Sequence, residues 1–318
     1  MKPMNADEIF GNYATLLLPI NEDDTIDYVR LQEEIDYLIA AGVSGIYSNG
    51  TAGEFHTQSE EEFVRVNEML AVACQKVELP FQVGASHMSP QLSLARIKRA
   101  VAWKPSAIQI ILADWFSLKD DEILSCLKRF AEAANPIGIV VYNPPHAKRI
   151  IPPELYARIH TEIPEVVGIK VAGGDVRWYK AMNTHAKGIS IFVPGHFLAS
   201  GYARGAQGAY SNVACLSPIG AQRWYERMRT DLPGAIEQEQ RIVQFMTQHI
   251  TPYITEQGYC NAACDKLLAA IGGWSSVGTR LRWPYRWIPA AEAERLRPLA
   301  QELIPEMFEC SIIPITTC

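Results

Sequence analysis

The chain has 318 residues, of which 48% are hydrophobic and 20% are charged, and its formal net charge is −6. This length and apolar content are enough to bury a large core, in one large domain or in two ordinary ones. A mildly acidic chain with no basic run interleaved with aromatic residues offers no electrostatic reason to bind nucleic acid or an anionic membrane. We therefore expect neither as a partner.

The N-terminus and the cysteines indicate the cellular compartment in which the protein resides. The first residues, MKPMNADEIFGNYATLLLPI, place acidic residues ahead of the apolar run and do not form a signal-peptide pattern. No uninterrupted apolar run is long enough to cross a bilayer. The seven cysteines are odd in number, and no histidine or second cysteine pair joins Cys260 and Cys264, so we expect free, reduced thiols rather than disulfides or a metal site. The chain is predicted to be soluble and cytoplasmic.

Short β-rich apolar runs alternate with amphipathic stretches along the chain. The predicted strands are 13–20, 44–49, 81–85, 107–113, 137–143, 166–172, 189–195 and 208–213. The predicted helices between and after them are 27–42, 59–77, 91–104, 120–135, 153–163, 176–186 and 196–205, and then 222–230, 235–250, 261–273 and 291–308.

Eight such alternations predict a (β/α)₈ TIM barrel, an α/β fold. An open, doubly wound sheet is the alternative, and it is less favoured because no glycine-rich dinucleotide fingerprint follows the first strand. From about Pro218 onward the pattern is helical. We predict a catalytic barrel over residues 1–225 and a C-terminal helical extension over residues 226–318 that packs on it.

The active site of a barrel is built at the C-terminal ends of its strands. Lys170 lies at the end of the sixth predicted strand, Tyr142 at the end of the fifth, and the segment SNGTAGE (48–54) follows the second. These three parts are predicted to converge on one opening.

Lys170 is the candidate nucleophile. An ammonium group at the mouth of a barrel loses water, which lowers its pKa and provides free amine near neutral pH. A free amine attacks a ketone to form an imine, and the protonated imine is an electron sink for making or breaking a carbon–carbon bond. The alternative is a lysine that reaches to the barrel rim or pairs with a carboxylate.

Two further features support this site only in combination. Tyr142 can relay protons through its phenol, or it can be a core tyrosine whose hydroxyl bonds to the backbone. The turn that contains Gly50, Thr51, Ala52 and Gly53 presents small residues and backbone N–H groups suited to holding a carboxylate, although glycine turns are common.

Taken in order, GTAGE, YNPP and GIK resemble the N-acetylneuraminate lyase and dihydrodipicolinate synthase superfamily, and the resemblance extends over nearly the whole chain. It implies a class I aldolase on a TIM barrel with a C-terminal helical extension. It implies that Lys170 forms the imine, that Tyr142 relays protons, and that Thr51 begins the turn that holds the carboxylate of a 2-oxo acid such as pyruvate. Gly195 and Tyr210 are expected to line the same pocket.

The resemblance also implies what accompanies the reaction. The reaction proceeds through the covalent imine on Lys170 and needs no metal or other cofactor. The binding partner is its substrate, a small 2-oxo acid. A homo-oligomer, dimeric or tetrameric, is the usual assembly in this superfamily.

The chain departs from dihydrodipicolinate synthase at three positions. Ala52 replaces the second hydroxyl of the turn, and Trp115 stands where that enzyme has a second tyrosine, which a neighbouring subunit lends to the relay. Ala147 stands where its arginine grips the aldehyde substrate, and the adjacent Lys148 and Arg149 are either replacements or solvated loop charges. Each lost contact to a charged group costs about 2–3 kcal/mol.

These departures favour a divergent member that acts on another 2-oxo acid, such as a sugar-derived 2-oxo-3-deoxy acid or a hydroxylated or aromatic 2-oxo acid. Trp115 and His146 would shape the distal part of the pocket. His146 either supplies a proton in place of the lost relay or is a loop histidine without a chemical role.

The leading hypothesis is a Schiff-base lyase that acts by aldol cleavage or dehydration. A divergent dihydrodipicolinate synthase, which condenses pyruvate with aspartate semialdehyde, is the runner-up. A catalytically retired barrel that binds a 2-oxo acid is the alternative of another class. A metal-dependent aldolase is poorly supported because the sequence has no clustered histidine and acidic ligands.

Overall fold

The computed structural model of the protein describes residues 1–309. Eight parallel strands form a closed barrel in which each pairs with its neighbours in sequence and β1 pairs with β8. The strands are β1 (Gly11–Thr15), β2 (Gly45–Ser48), β3 (Phe81–Gly84), β4 (Ala107–Ile111), β5 (Ile139–Tyr142), β6 (Val166–Lys170), β7 (Ser190–Pro194) and β8 (Gly208–Ser211). The predicted TIM barrel is confirmed.

Helices follow the strands in the predicted alternation. They are α1 (Tyr28–Ala40), α2 (Glu60–Lys76), α3 (Pro90–Ala102), α4 (Asp120–Ala134), α5 (Pro153–Glu162), α6 (Val176–His185), α7 (Leu198–Tyr202) and α8 (Asn212–Leu216). A 3₁₀ turn, Gly195–Phe197, separates β7 from α7. The start of α2 shows how local sequence sets an element. There, Ser59 and Glu62 form a reciprocal capping box, since each side chain bonds to the backbone N–H of the other residue.

The C-terminal part of the described chain is helical. It contains α9 (Pro218–Thr230), α10 (Leu232–Phe245), a π-helical turn (Met246–Ile250), α11 (Thr251–Thr255), α12 (Asn261–Gly272) and α13 (Ala290–Leu303). The helix α12 packs against α8 and α13, and it ends at Gly273, which adopts a left-handed conformation with φ of 68°. Residue 225, the predicted end of the barrel region, falls within α9, and the division at 225/226 stays a prediction.

The first strand differs from its prediction. The apolar run 13–20 suggested one long strand, but β1 ends at Thr15. The N–H of Leu16 still donates to the carbonyl oxygen of Tyr47 in β2, but from the next residue the backbone leaves the barrel, because the N–H of Leu17 donates to the buried Glu34 carboxylate at 2.8 Å and Pro19 has no N–H to donate. The apolar residues after Thr15 are buried in the layer between strands and helices rather than in the strand itself.

The barrel interior holds its own small core. It consists of Ile9, Tyr13, Tyr47, Ala107, Val140, Val167, Phe192 and Tyr210. The rings pack edge-on or tilted, with centroids 4.7 Å apart for Tyr47 and Tyr210 and 5.6 Å apart for Tyr13 and Phe192. Because aromatic side chains fill the cylinder, its centre is a packed floor and not a pore.

Within residues 1–309, no helix is long and apolar enough to cross a membrane. Cys74, Cys126, Cys215, Cys260 and Cys264 are free thiols, whereas Cys310 and Cys318 lie outside the described residues.

Candidate active site

A cavity of about 380 Å³ lies over the C-terminal ends of the strands, on the aromatic floor of the barrel. The barrel contributes residues from the ends of β1, β2, β5, β6, β7 and β8, and the C-terminal helices cover it from the other side. The lining residues from that cover are Met246, Ile250, Thr251, Ile254, Asn261, Cys264, Asp265 and Leu268. The predicted C-terminal extension therefore forms one wall of this cavity.

Lys170 is the last residue of β6, and its ammonium group faces this cavity. Its Nζ donates to the phenol oxygen of Tyr47 at 3.4 Å. The same Nζ lies 4.1 Å from the ring centre of Tyr142, 4.8 Å from that of Tyr47 and 5.1 Å from that of Tyr210. Loss of water lowers the pKa of Lys170 to about 8, although Asp265 and Cys215 act in the opposite direction. A useful fraction of this amine is therefore unprotonated near neutral pH.

Tyr142 ends β5 directly beside Lys170 in the sheet register. The hydroxyl of Thr51 donates to its phenol oxygen at 3.5 Å, and burial raises the pKa of the phenol. Tyr142 is thus a neutral phenol that can donate a proton at pH 7. The structure brings together Lys170, Tyr142 and Thr51, which the sequence places 28 to 119 positions apart.

The turn after β2 is held tightly. Asn49 and Glu54 both adopt positive φ, and a Cβ on Gly53 would lie 3.0 Å from the backbone N of Asn49 and the carbonyl O of Leu16. Below the turn, the buried Glu54 carboxylate pairs with Lys266 of α12 at 2.6 Å. This ion pair fastens the turn to the C-terminal helices.

The other turn residues take different positions. Thr51 and Ala52 line the cavity, whereas Gly50 packs against the ring of Tyr47, from which its Cβ would be only 2.6 Å away. Ala52 thus puts a methyl group where the resemblance expects a second hydroxyl.

Gly195 and Tyr210 lie near the cavity in different ways. Tyr210 lines it and donates to Gln82 through its hydroxyl. Gly195 is buried directly after β7, where a Cβ would lie 2.4 Å from the Ser211 hydroxyl, so the absent side chain permits close packing against β8. Its predicted place in the substrate pocket stays a prediction.

Trp115 and His146 do not line the cavity around Lys170. His146 and Ala147 line a second cavity of about 170 Å³, which shares Thr51 and Tyr142 with the first. Trp115 is 74% exposed, and Lys148 lies over its ring and donates to its carbonyl oxygen at 2.7 Å. The roles predicted for these two residues stay predictions.

Several lining residues were missed by reasoning from the sequence. They are Thr15, Tyr47, His196, Asn212, Cys215 and Asp265. Tyr47 could have been found from the alternation of β2, which points every second side chain into the barrel. Asp265 could also have been found from the sequence, because Asp265 and Lys266 are a charged pair in NAACDKLLAAIGG, an otherwise largely apolar helix.

No group of three or more histidine, cysteine, aspartate or glutamate side chains within residues 1–309 could hold a metal ion.

Comparison with known proteins decides the family. A model described as the dihydrodipicolinate synthetase family matches residues 9–297. The chain belongs to this family. Its sequence is 25% identical over 291 residues to the N-acetylneuraminate lyase of Rhizobium meliloti strain 1021, covering 90% of this chain and 93% of that enzyme. It is 28% identical over 174 residues to the 4-hydroxy-tetrahydrodipicolinate synthase of Ehrlichia canis strain Jake, covering 54% of this chain and 58% of that enzyme.

Solved structures share the fold of this dihydrodipicolinate synthetase family member. The pyruvate complex of YagE, a prophage protein of E. coli K12, superposes with a TM-score of 0.82 at 18% identity, covering 93% of this chain and 98% of that one. The mannosamine complex of CdNal from Clostridium difficile gives a TM-score of 0.79 at 15% identity, covering 94% and 99%. The curated relatives include both lyases and synthases, so membership alone does not choose between them.

Proposed function

We propose that this protein is a Schiff-base-forming lyase of the class I aldolase type that acts on pyruvate or another 2-oxo acid. The observation that carries the proposal is the single amine of Lys170, enclosed by three tyrosine rings at the closed end of the cavity. Family membership supports the same reaction class.

In this mechanism the free amine of Lys170 attacks the C2 carbonyl of the 2-oxo acid, and water leaves to give a protonated imine. Tyr142 lies against the amine and donates the proton that the departing hydroxyl needs. The turn around Thr51 and Ala52 holds the substrate carboxylate through its backbone N–H groups. The resulting cation accepts the electron pair of the C3–C4 bond in a cleavage, or that of the C3–H bond in a dehydration. In the second case the enamine so formed expels the C4 hydroxyl, whose oxygen takes the C–O electron pair and a proton and leaves as water.

We further propose cleavage or dehydration of a larger 2-oxo acid as the reaction. The cavity of about 380 Å³ has room for a substrate longer than pyruvate, and its wall from the C-terminal helices carries Met246, Ile250 and Leu268 beside the polar groups. Condensation of pyruvate with aspartate semialdehyde is the second candidate, favoured by the 28% identical synthases. Ala52 and Ala147, which replace two contacts of that reaction, weigh against it.

We also propose that the protein assembles as a homo-oligomer. Trp115 and Phe116 expose 74% and 79% of their surface side by side in the loop after β4, and a second copy of the chain would cover such a pair. Sedimentation of the purified protein as a dimer or tetramer would support the assembly, whereas sedimentation as a monomer at micromolar concentration would contradict it.

Covalent trapping tests the function. The protein is incubated with pyruvate and borohydride, digested and analysed by mass spectrometry, and we expect one stable adduct, on Lys170. The variant Lys170→Met should form none, whereas Lys187→Met, which changes an exposed lysine at the opposite end of the barrel, should react like wild type.

A protein that forms no adduct with pyruvate or with a panel of other 2-oxo acids would contradict the proposal and favour a retired barrel. If an adduct forms, consumption of aspartate semialdehyde separates the two candidate reactions from each other. Rapid consumption would identify a synthase. Absence of consumption, together with cleavage or dehydration of a 2-oxo-3-deoxy sugar acid or an aromatic 2-oxo acid, would identify a lyase.

A further inference from the structure

Asp265 is the acidic residue among the side chains that line the Lys170 cavity. It belongs to α12, and the next residue, Lys266, is fixed by its buried ion pair with Glu54 and by donation to the carbonyl oxygen of Arg280. The same helix packs against α8, which carries Cys215. These contacts hold the Asp265 side chain in the wall opposite the strand ends.

The Asp265 carboxylate is unpartnered. Within residues 1–309 it has no side-chain hydrogen bond and no ion pair, although it interacts electrostatically with Lys170, Tyr47, Tyr142 and Cys215. A partly buried carboxyl group without a structural partner is costly to fold, so its presence points to a task in the cavity.

The phenol and thiol groups around Lys170 are poor proton acceptors in the resting site. Burial raises the pKa of Tyr47, Tyr142 and Cys215, so all three are protonated near neutral pH before the reaction begins, and the proton of Tyr142 serves the departing hydroxyl. Burial raises the pKa of Asp265 to about 7, opposed by Lys170, which leaves a carboxylate that can take up and release a proton in this range. His196 is the competing base, and one of its ring nitrogens is 2.8 Å from the Asn212 amide.

We propose that Asp265 is the catalytic acid–base residue that removes a proton from C3 of the substrate imine on Lys170 and returns it there. This inference rests on the proposed function. Once pyruvate is bound to the amine, C3 is two bonds from Nζ, so a group in the wall that faces Nζ also faces C3. The carboxyl group thereby supplies a proton acceptor in a site whose turn has Ala52 in place of a hydroxyl.

The step balances without any further reactant. The Asp265 carboxylate takes H⁺ from C3 of the protonated imine, the C–H electron pair becomes the C2=C3 double bond, and the C=N π pair becomes the lone pair of an enamine nitrogen. Asp265 is then a neutral carboxylic acid. Return of the proton to C3 restores the protonated imine, and water hydrolyses it to the 2-oxo acid and the free amine of Lys170, while the proton released goes back to Tyr142.

Two measurements with pyruvate alone test the assignment in wild type and in Asp265→Asn. The first is the rate of borohydride trapping on Lys170, and the second is the rate of exchange of the pyruvate methyl protons in D₂O, followed by NMR. We expect exchange to fall by about 10²- to 10⁴-fold in Asp265→Asn. Trapping at pH 7 should stay equal or rise by up to about tenfold, because loss of the carboxylate lowers the pKa of Lys170 further.

Three further variants test whether exchange depends on the carboxylate at this position. Asp265→Glu keeps a carboxylate and should retain part of the exchange. Glu294→Gln makes the same carboxyl-to-amide change on the exposed face of α13 and should leave both rates unchanged. His196→Gln should slow exchange less than Asp265→Asn does.

Failure of the proposed function and failure of the role of Asp265 give different experimental results. Absence of a trapped adduct in wild type would refute the proposed function, whatever Asp265 does. A wild-type adduct combined with undiminished exchange in Asp265→Asn, or with no exchange in wild type, would overturn the role of Asp265. Parallel loss of trapping, exchange and melting temperature in Asp265→Asn would show a structural role and would also overturn it.

Discussion

The two walls of the cavity are held in place by different kinds of contact. On the barrel wall, Tyr142 and Lys170 stand at the ends of adjacent strands, in register with each other. On the opposite wall, Asp265 and Lys266 stand next to each other in one helix, yet they face different surroundings: the first faces the cavity and the second faces the buried Glu54. The barrel wall is fixed by sheet register, whereas the helical wall depends on long-range packing.

Side chains that face the cavity and groups packed behind them should respond differently to substitution. A change to a reactive side chain at a strand end, such as Tyr142, should reduce reaction rates while the fold persists, because that side chain faces the cavity. A change beneath the helical wall should reduce stability first, because Lys266 and Glu54 are exposed by 0% and 1% and each depends on the other. The following predictions test this separation in order of expected effect.

Tyr142→Phe should lower the initial rate of borohydride trapping by about 10²- to 10⁴-fold, since it removes the phenol that donates a proton during imine formation. The melting temperature should change little. Tyr156→Phe is the matched control, because Tyr156 is buried in α5 and its hydroxyl has no hydrogen-bond partner in the described part of the chain. Equal trapping rates in the two variants would remove Tyr142 from the mechanism.

Lys266→Met should lower the free energy of unfolding by about 3–5 kcal/mol, because it leaves the Glu54 charge buried without its partner. Chemical denaturation followed by circular dichroism measures the change. The double variant Lys266→Met/Glu54→Gln should recover part of the loss, since neither charge is then left unpaired. If the single variant were as stable as wild type, the ion pair would not be what joins α12 to the turn.

Gly195→Ala should cost about 1–3 kcal/mol of stability, since the new Cβ would lie 2.4 Å from the Ser211 hydroxyl oxygen and 2.9 Å from the Asn212 amide oxygen. Combining it with Ser211→Ala should give a loss smaller than the sum of the two single losses. Strictly additive losses would show that the two residues do not crowd each other.

The barrel could be predicted because each βα unit has a recognisable local sequence pattern. Eight short, β-rich apolar runs, each followed by an amphipathic stretch, are sufficient for the topology, and Lys170 and Tyr142 then reach the mouth by position alone. The apolar run 13–20 misled because burial outside the strand looks the same in sequence as burial within it.

The helical wall could not be predicted in the same way. Which face of α12 meets the barrel depends on its contacts with α8 and the turn, and no local pattern encodes them. Asp265 and Lys266 stood out only as charges in an apolar helix. The exposure of Trp115, in the loop after β4, likewise depends on long-range packing that no local pattern encodes.

The central claim is that Lys170 carries an amine that loses its proton far more easily than an ordinary lysine. Protein labelled with ¹³C at the lysine ε position can be titrated by NMR, and the resonance that disappears in Lys170→Met identifies this residue. We predict a midpoint near pH 8, well below the ordinary value of 10.5. A midpoint at 10.5 or above would show a solvated or ion-paired ammonium and would contradict the proposed imine chemistry.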